Sequence, residues 1–93
     1  MNAEVAAIKG YMRDWEDDPA DALELWDELP EPKRIHSYGP NAAYPPGYVV
    51  MSGGKAQDGV GEFSGFIYLQ TGETMAEAIT LCWLQWQDEK RYR

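Results

Sequence analysis

The chain has 93 residues, of which 44% are hydrophobic, with one cysteine and a formal net charge of −8. That length fits a single domain over residues 1–93 with one modest core, and a lone cysteine excludes an internal disulfide and suits a reducing cytoplasm. The charge disfavours direct nucleic-acid contact and anionic membrane surfaces, which both need basic side chains, and no apolar run approaches the roughly 18 residues of a membrane span.

The opening segment, MNAEVAAIKGYMRDW, lacks a basic stretch followed by an apolar run, so no secretory leader is expected there. Residues 3–16 read as a first helix, with Val5, Ile8, Met12 and Trp15 on one face and Tyr11 beside them. Gly10 falls on the opposite face and weakens this helix by about 1 kcal/mol relative to Ala. Asp18-Pro19 starts a second helix: Asp18 suits the N-cap, Pro19 the first helical position, and Asp21 the acidic first turn. Ala22, Leu25, Trp26 and Leu29 form its buried face, while Asp21, Glu24, Asp27 and Glu28 share the opposite, outward face. Pro30 and Pro32 end it.

The stretch PEPKRIHSYGPNAAYPPG, residues 30–47, holds five of the six prolines and reads as a long loop in which Ile35 to Tyr38 form a short edge strand. Loops of this length are often functional. Tyr48 to Ser52 and Glu62 to Gln70 read as strands, joined by SGGKAQDGVG with Asp58-Gly59 at a possible turn centre. In the second strand, Phe63, Ile67 and Leu69 are expected to face the core, with Phe66 and Tyr68 facing outward. Two strands alone are marginal, so a third is expected.

Thr74 to Lys90, TMAEAITLCWLQWQDEK, is the clearest helix. Thr74 and Glu77 have capping-box spacing. Met75, Ala78, Ile79, Cys82, Trp83 and Trp86 share a broad apolar face, and Trp83 and Trp86 are expected among the most buried residues. Leu81 and Leu84 lie off that face, so the first or second helix should cover them, which favours a monomer over a homodimer. The expected fold is α+β: two N-terminal helices, a short antiparallel sheet of two or three strands, and a long C-terminal helix packed on the sheet.

Catalytic signals are weak. His36, the single histidine, has no nucleophile at a recognisable spacing, and Cys82 sits on an apolar helix face where thiols are usually inert. The run Asp14, Glu16, Asp17, Asp18 lacks the glycine and terminal glutamate of a calcium loop. The glycines match neither a Walker loop nor a dinucleotide fingerprint. Hence no enzyme, metal or cofactor is expected.

The charge distribution says more. Residues 1–31 hold ten acidic and two basic side chains, and residues 32–93 hold six of each, so the whole net charge lies in the first third. Solvated helices usually mix signs to gain i, i+4 pairs. Unrelieved repulsion here suggests a use for the field, and a basic partner is favoured. Candidate partner-binding residues are therefore Asp14, Glu16, Asp17, Asp21, Glu24, Asp27 and Glu28. Aromatics are enriched at interface centres, which adds Tyr38, Tyr44, Phe66 and Tyr68, with Tyr48 alongside.

The segment GETMAEAITLCWLQWQ after a short strand pair resembles the closing strand–helix part of small phage proteins of the ABA-sandwich type, over about twenty residues. The acidic, cysteine-poor chain also resembles phage-encoded inhibitors of bacterial defence, such as anti-CRISPR proteins and DNA mimics. That resemblance implies an acidic surface occupying the groove where a basic host protein, such as a CRISPR-Cas effector, holds DNA or RNA. The alternative is an immunity protein or antitoxin that neutralises a basic toxin.

Overall fold

A computed structural model of the chain describes residues 1–39, 46–54 and 65–91. The elements run α1 (Asn2–Lys9), α2 (Pro19–Glu28), β1 (Lys33–Tyr38), β2 (Gly47–Gly54), β3 (Phe66–Gly72) and α3 (Met75–Arg91). The strands form an antiparallel sheet in the order β1-β2-β3, and α3 packs on it. The expected α+β architecture is the observed one.

The first helix is half the expected length. Gly10 is not a weak point inside it but its C-cap, with φ +87° and its N–H donating to the Ala6 carbonyl at 2.8 Å. Glycine holds that left-handed conformation without the steric cost other residues carry. The chain then leaves the helical path. Met12, expected on the buried face, is 64% exposed and Tyr11 is also exposed, yet Trp15 is fully buried. The Asn2 side chain pins the returning segment: its amide donates to Asp14 (2.9 Å), and its oxygen accepts from the Glu16 N–H (3.0 Å).

The start and stop signals for α2 are local, and they hold. The Asp18 carboxylate accepts from the Ala20 N–H at 2.9 Å, and Pro19 opens the helix. Ala22, Leu25 and Leu29 are buried, with Trp26 half-buried. The last turn of α2 has no basic residue of its own. Lys33 of β1 supplies one, donating to the Trp26 carbonyl at 2.7 Å with its ammonium 5.1 Å from the Trp26 ring centre. A cation there complements the negative end of the helix dipole.

The described part of the proline-rich stretch is more regular than a loop. Lys33–Tyr38 form a complete edge strand, and the prolines before it anchor the far end of β2. The Pro30 carbonyl accepts from the Ser52 hydroxyl at 2.6 Å, and the Gly53 N–H donates to the Pro32 carbonyl at 2.8 Å.

The facing of β3 is the reverse of the expected one. Tyr68 is 5% exposed and belongs to the core under α3, while Ile67 and Leu69 are 53% and 41% exposed. Tyr68 pairs with Ser52, which fixes this phase. Its ring lies against Gly53, where an added Cβ would stand 3.2 Å from the ring carbons. Phe66, on the same face as Tyr68, is half-buried. On the face turned from the helices, Val49 and Met51 are buried. Phe63 and the proposed Asp58-Gly59 turn lie outside the described residues.

At the start of α3 the Thr74 hydroxyl accepts from the Glu77 N–H at 3.1 Å, one half of the expected capping box. Ile79, Cys82 and Trp83 are buried, whereas Trp86 is only half-buried, with Lys90 4.4 Å from its ring centre. Leu84 is buried and Leu81 half-buried, and both share a groove with Met1 and Glu4 at the start of α1. Thr80 is buried but satisfied: its hydroxyl is shared between the carbonyls of Trp15 (2.9 Å) and Ala76 (2.8 Å). That contact ties the segment after α1 to the second turn of α3.

Candidate functional site

The acidic side chains of α2 divide into two groups. Glu24, half-buried, and Glu28, still exposed, are both bonded into the fold, although the helix wheel places them on the outward face. Glu24 accepts from the Trp15 indole N–H at 2.7 Å and from the Tyr11 hydroxyl, and its carboxylate lies 3.8 Å from the Lys9 ammonium. Glu28 accepts from the Trp83 indole at 3.3 Å and from Lys9. Lys9 stands between them, 5.6 Å from the Trp83 ring centre. Lys9 thus gathers two carboxylates from α2 over two buried indoles and locks α1 and the following segment to α2 and α3.

The ionisation of this cluster follows from its geometry. Burial alone would raise the Glu24 carboxyl. The hydrogen bonds from Tyr11 and Trp15, with the charges of Lys9 and Arg13, outweigh burial and hold it below the usual glutamate value. Burial would likewise lower Lys9, but the Glu28 bond and the charges of Glu28 and Glu24 raise it. Tyr11 is raised, chiefly by its bond to the Glu24 carboxylate. A depressed carboxyl stabilises the fold fully above its unfolded pKa and loses that contribution as pH falls through the folded value. Glu24→Gln should therefore be less stable than the parent by about 1–2 kcal/mol near neutrality. The gap should narrow as pH falls below the usual glutamate range, since the folded carboxyl titrates lower than the unfolded one. Urea unfolding of both proteins across that range measures it; a gap independent of pH would mean that the Glu24 charge contributes nothing.

The second group remains at the surface. Asp14, Asp17, Asp18 and Asp27 are exposed, and none takes part in an ion pair among the described residues. Asp14 still accepts from Asn2, and Asp18 caps α2. Asp21 is half-buried and accepts from the Asp14 N–H at 3.1 Å, and Glu16 lies 3.4 Å from the N-terminal ammonium. The solvent stripe of α2 runs Ala20, Leu23, Asp27 at helical spacing, and the exposed Asp17 lies in the turn just before the Asp18 N-cap. Leu23 is 46% exposed in the middle of it. Leu23 was missed by the sequence reading; its signal was an apolar residue beside Asp27 on the otherwise acidic side of the wheel.

The aromatic candidates do not form one patch. Tyr68 is buried under α3, and Phe66 is half-buried on that same side. Tyr44 lies outside the described residues. Tyr38 is half-buried at the end of β1, where it and Tyr48 line an open cleft with Ser37, Pro46, Gly47 and Glu73.

No protein-family model matches this chain, and no curated protein or solved structure is significantly similar to it. Among the described residues, no group of three or more His, Cys, Asp or Glu is placed to hold a metal ion. No described helix is long and apolar enough to cross a membrane. Burial pushes the Cys82 thiol up to about 12, so it stays protonated at neutral pH.

Proposed function

We propose that this protein is a non-enzymatic inhibitor, of the phage-encoded type, that binds a basic nucleic-acid-binding host protein and occludes its DNA or RNA site. The observation that carries the reading is the exposed stripe of α2. There an exposed, apolar Leu23 stands one turn from the exposed Asp27, with Asp17 exposed in the turn before the helix, in the third of the chain that holds the whole net charge. An apolar centre with a charged rim is the usual anatomy of a protein interface. The exposed carboxylates supply long-range steering toward a basic groove. Leu81 and Leu84, which could have marked a homodimer interface, border Met1 and Glu4 of the same chain, which favours action as a monomer.

The test has two stages. The tagged protein is used to capture its partner from a bacterial lysate, and the purified partner is then titrated with labelled DNA or RNA in its presence. The reading expects competition with the nucleic acid, and an association rate that falls as salt shortens the Debye length from about 10 Å at 0.1 M to about 3 Å at 1 M. Simultaneous binding of this protein and the nucleic acid to the partner would overturn it. A partner that is a basic toxin with no nucleic-acid site would establish the immunity or antitoxin reading instead.

A further inference from the structure

We propose that the cleft at the Tyr38–Gly47 end of the sheet is a receptor for a guanidinium group, an arginine side chain of the partner. The cleft has a volume of ≈ 430 Å³ and is lined by Ser37, Tyr38, Pro46, Gly47, Tyr48 and Glu73. That size falls within the roughly 300–1,000 Å³ of ligand clefts. Its chemistry has one sign. Two tyrosines supply electron-rich rings and phenolic oxygens, Ser37 supplies a hydroxyl, and Glu73 supplies an exposed carboxylate. Among the described residues, no basic side chain lines it.

The backbone builds this cleft deliberately at Gly47. Tyr38 and Gly47 are direct partners in the β1–β2 ladder. A Cβ on Gly47 would stand 2.9 Å from the Tyr38 hydroxyl oxygen and 2.7 Å from the Gly72 carbonyl oxygen. The missing side chain is therefore the space that Tyr38 occupies, and it lets the phenol reach across the strand toward the end of β3. Tyr48, the next residue, turns to the other side and packs against the core. It pairs with Gly72, and Glu73 follows directly. One aromatic residue from each side of the sheet and one carboxylate thus meet at the cleft. A cation gains from the ring quadrupoles and from the carboxylate together. A planar guanidinium is better matched than an ammonium, because it stacks on a ring while its fork meets the carboxylate. The open mouth admits a tethered side chain. Both this cleft and the acidic segment around Trp15 lie toward the start of α3.

This inference extends the reading of a basic partner, but its test needs no partner, so the two can fail separately. The protein is titrated with N-acetylarginine methylamide, and with the neutral citrulline counterpart, while backbone amide shifts are followed by NMR. Saturable shifts are expected at Ser37, Gly47, Tyr48 and Glu73 for the arginine probe alone. Glu73→Gln and Tyr38→Leu should each weaken binding about three- to tenfold, and Tyr38→Phe, which keeps the ring, should retain most of it. Equal shifts from the citrulline probe would overturn the proposal. So would arginine shifts mapping to α2 instead of the cleft, or a folded Glu73→Gln variant that binds as the parent does.

Discussion

A variant carrying Asp17→Lys, Leu23→Lys and Asp27→Lys should fold like the parent and lose about 100-fold or more in affinity for its basic partner. All three positions are exposed, Leu23 and Asp27 on one side of α2 and Asp17 just before its N-cap, and none of the hydrogen bonds or ion pairs described above uses their side chains. Reversing a single rim charge changes little, since exposed pairs are worth about 0–1 kcal/mol. Reversing both rim carboxylates and removing the apolar centre acts on steering and on contact together. The substitutions at Asp21, Glu24 and Glu28 that the helix wheel suggests would be a poor test. Glu24 and Glu28 hold Lys9, Trp15 and Trp83, and Asp21 holds the Asp14 N–H, so their loss would damage the fold. Circular dichroism confirms folding, and binding is measured at low and moderate salt. A folded triple variant with parental affinity would show α2 to be an ordinary solvated helix, and would reject the proposed mode of binding.

Trp15→Ala should cost about 3–5 kcal/mol, as buried Trp truncations do, and so unfold the protein or leave it marginal. Trp15 is fully buried, its indole N–H donates to Glu24, and its carbonyl accepts from Thr80. Its loss opens a cavity between α2 and α3 and leaves the Glu24 network short of a donor. Met12→Ala is the matched control. A helix over residues 3–16 would bury Met12 and Trp15 together, but Met12 is 64% exposed and its truncation should fall within about 0.5 kcal/mol of the parent. Thermal and urea melts separate the two cases. Parental stability in Trp15→Ala would mean that the segment after α1 is not part of the core.

What the sequence determined by itself is what short-range chemistry decides. Asp18 and Pro19 set the start of α2, Pro30 its end, and Thr74 the start of α3, because caps and proline act within one helical turn. The class of fold followed from the amphipathic pattern of these elements. The charge concentration in residues 1–31 was also legible, since it is a property of composition. Three features were decided only by the tertiary structure. Gly10 could be read as helix interior or helix end; it ends α1 in the left-handed conformation, and the segment after it returns so that Trp15 is buried and Met12 is not. The alternation of β3 was plain, but its phase depends on pairing with β2, and shifting it by one residue exchanges the faces. Tyr68 is inside because Gly53 leaves room for its ring. The carboxylates of α2 look alike on a helical wheel. Only the return of Lys9, Tyr11 and Trp15 across that helix separates Glu24 and Glu28, which bond to the fold, from Asp27, which has no ion-pair partner among the described residues.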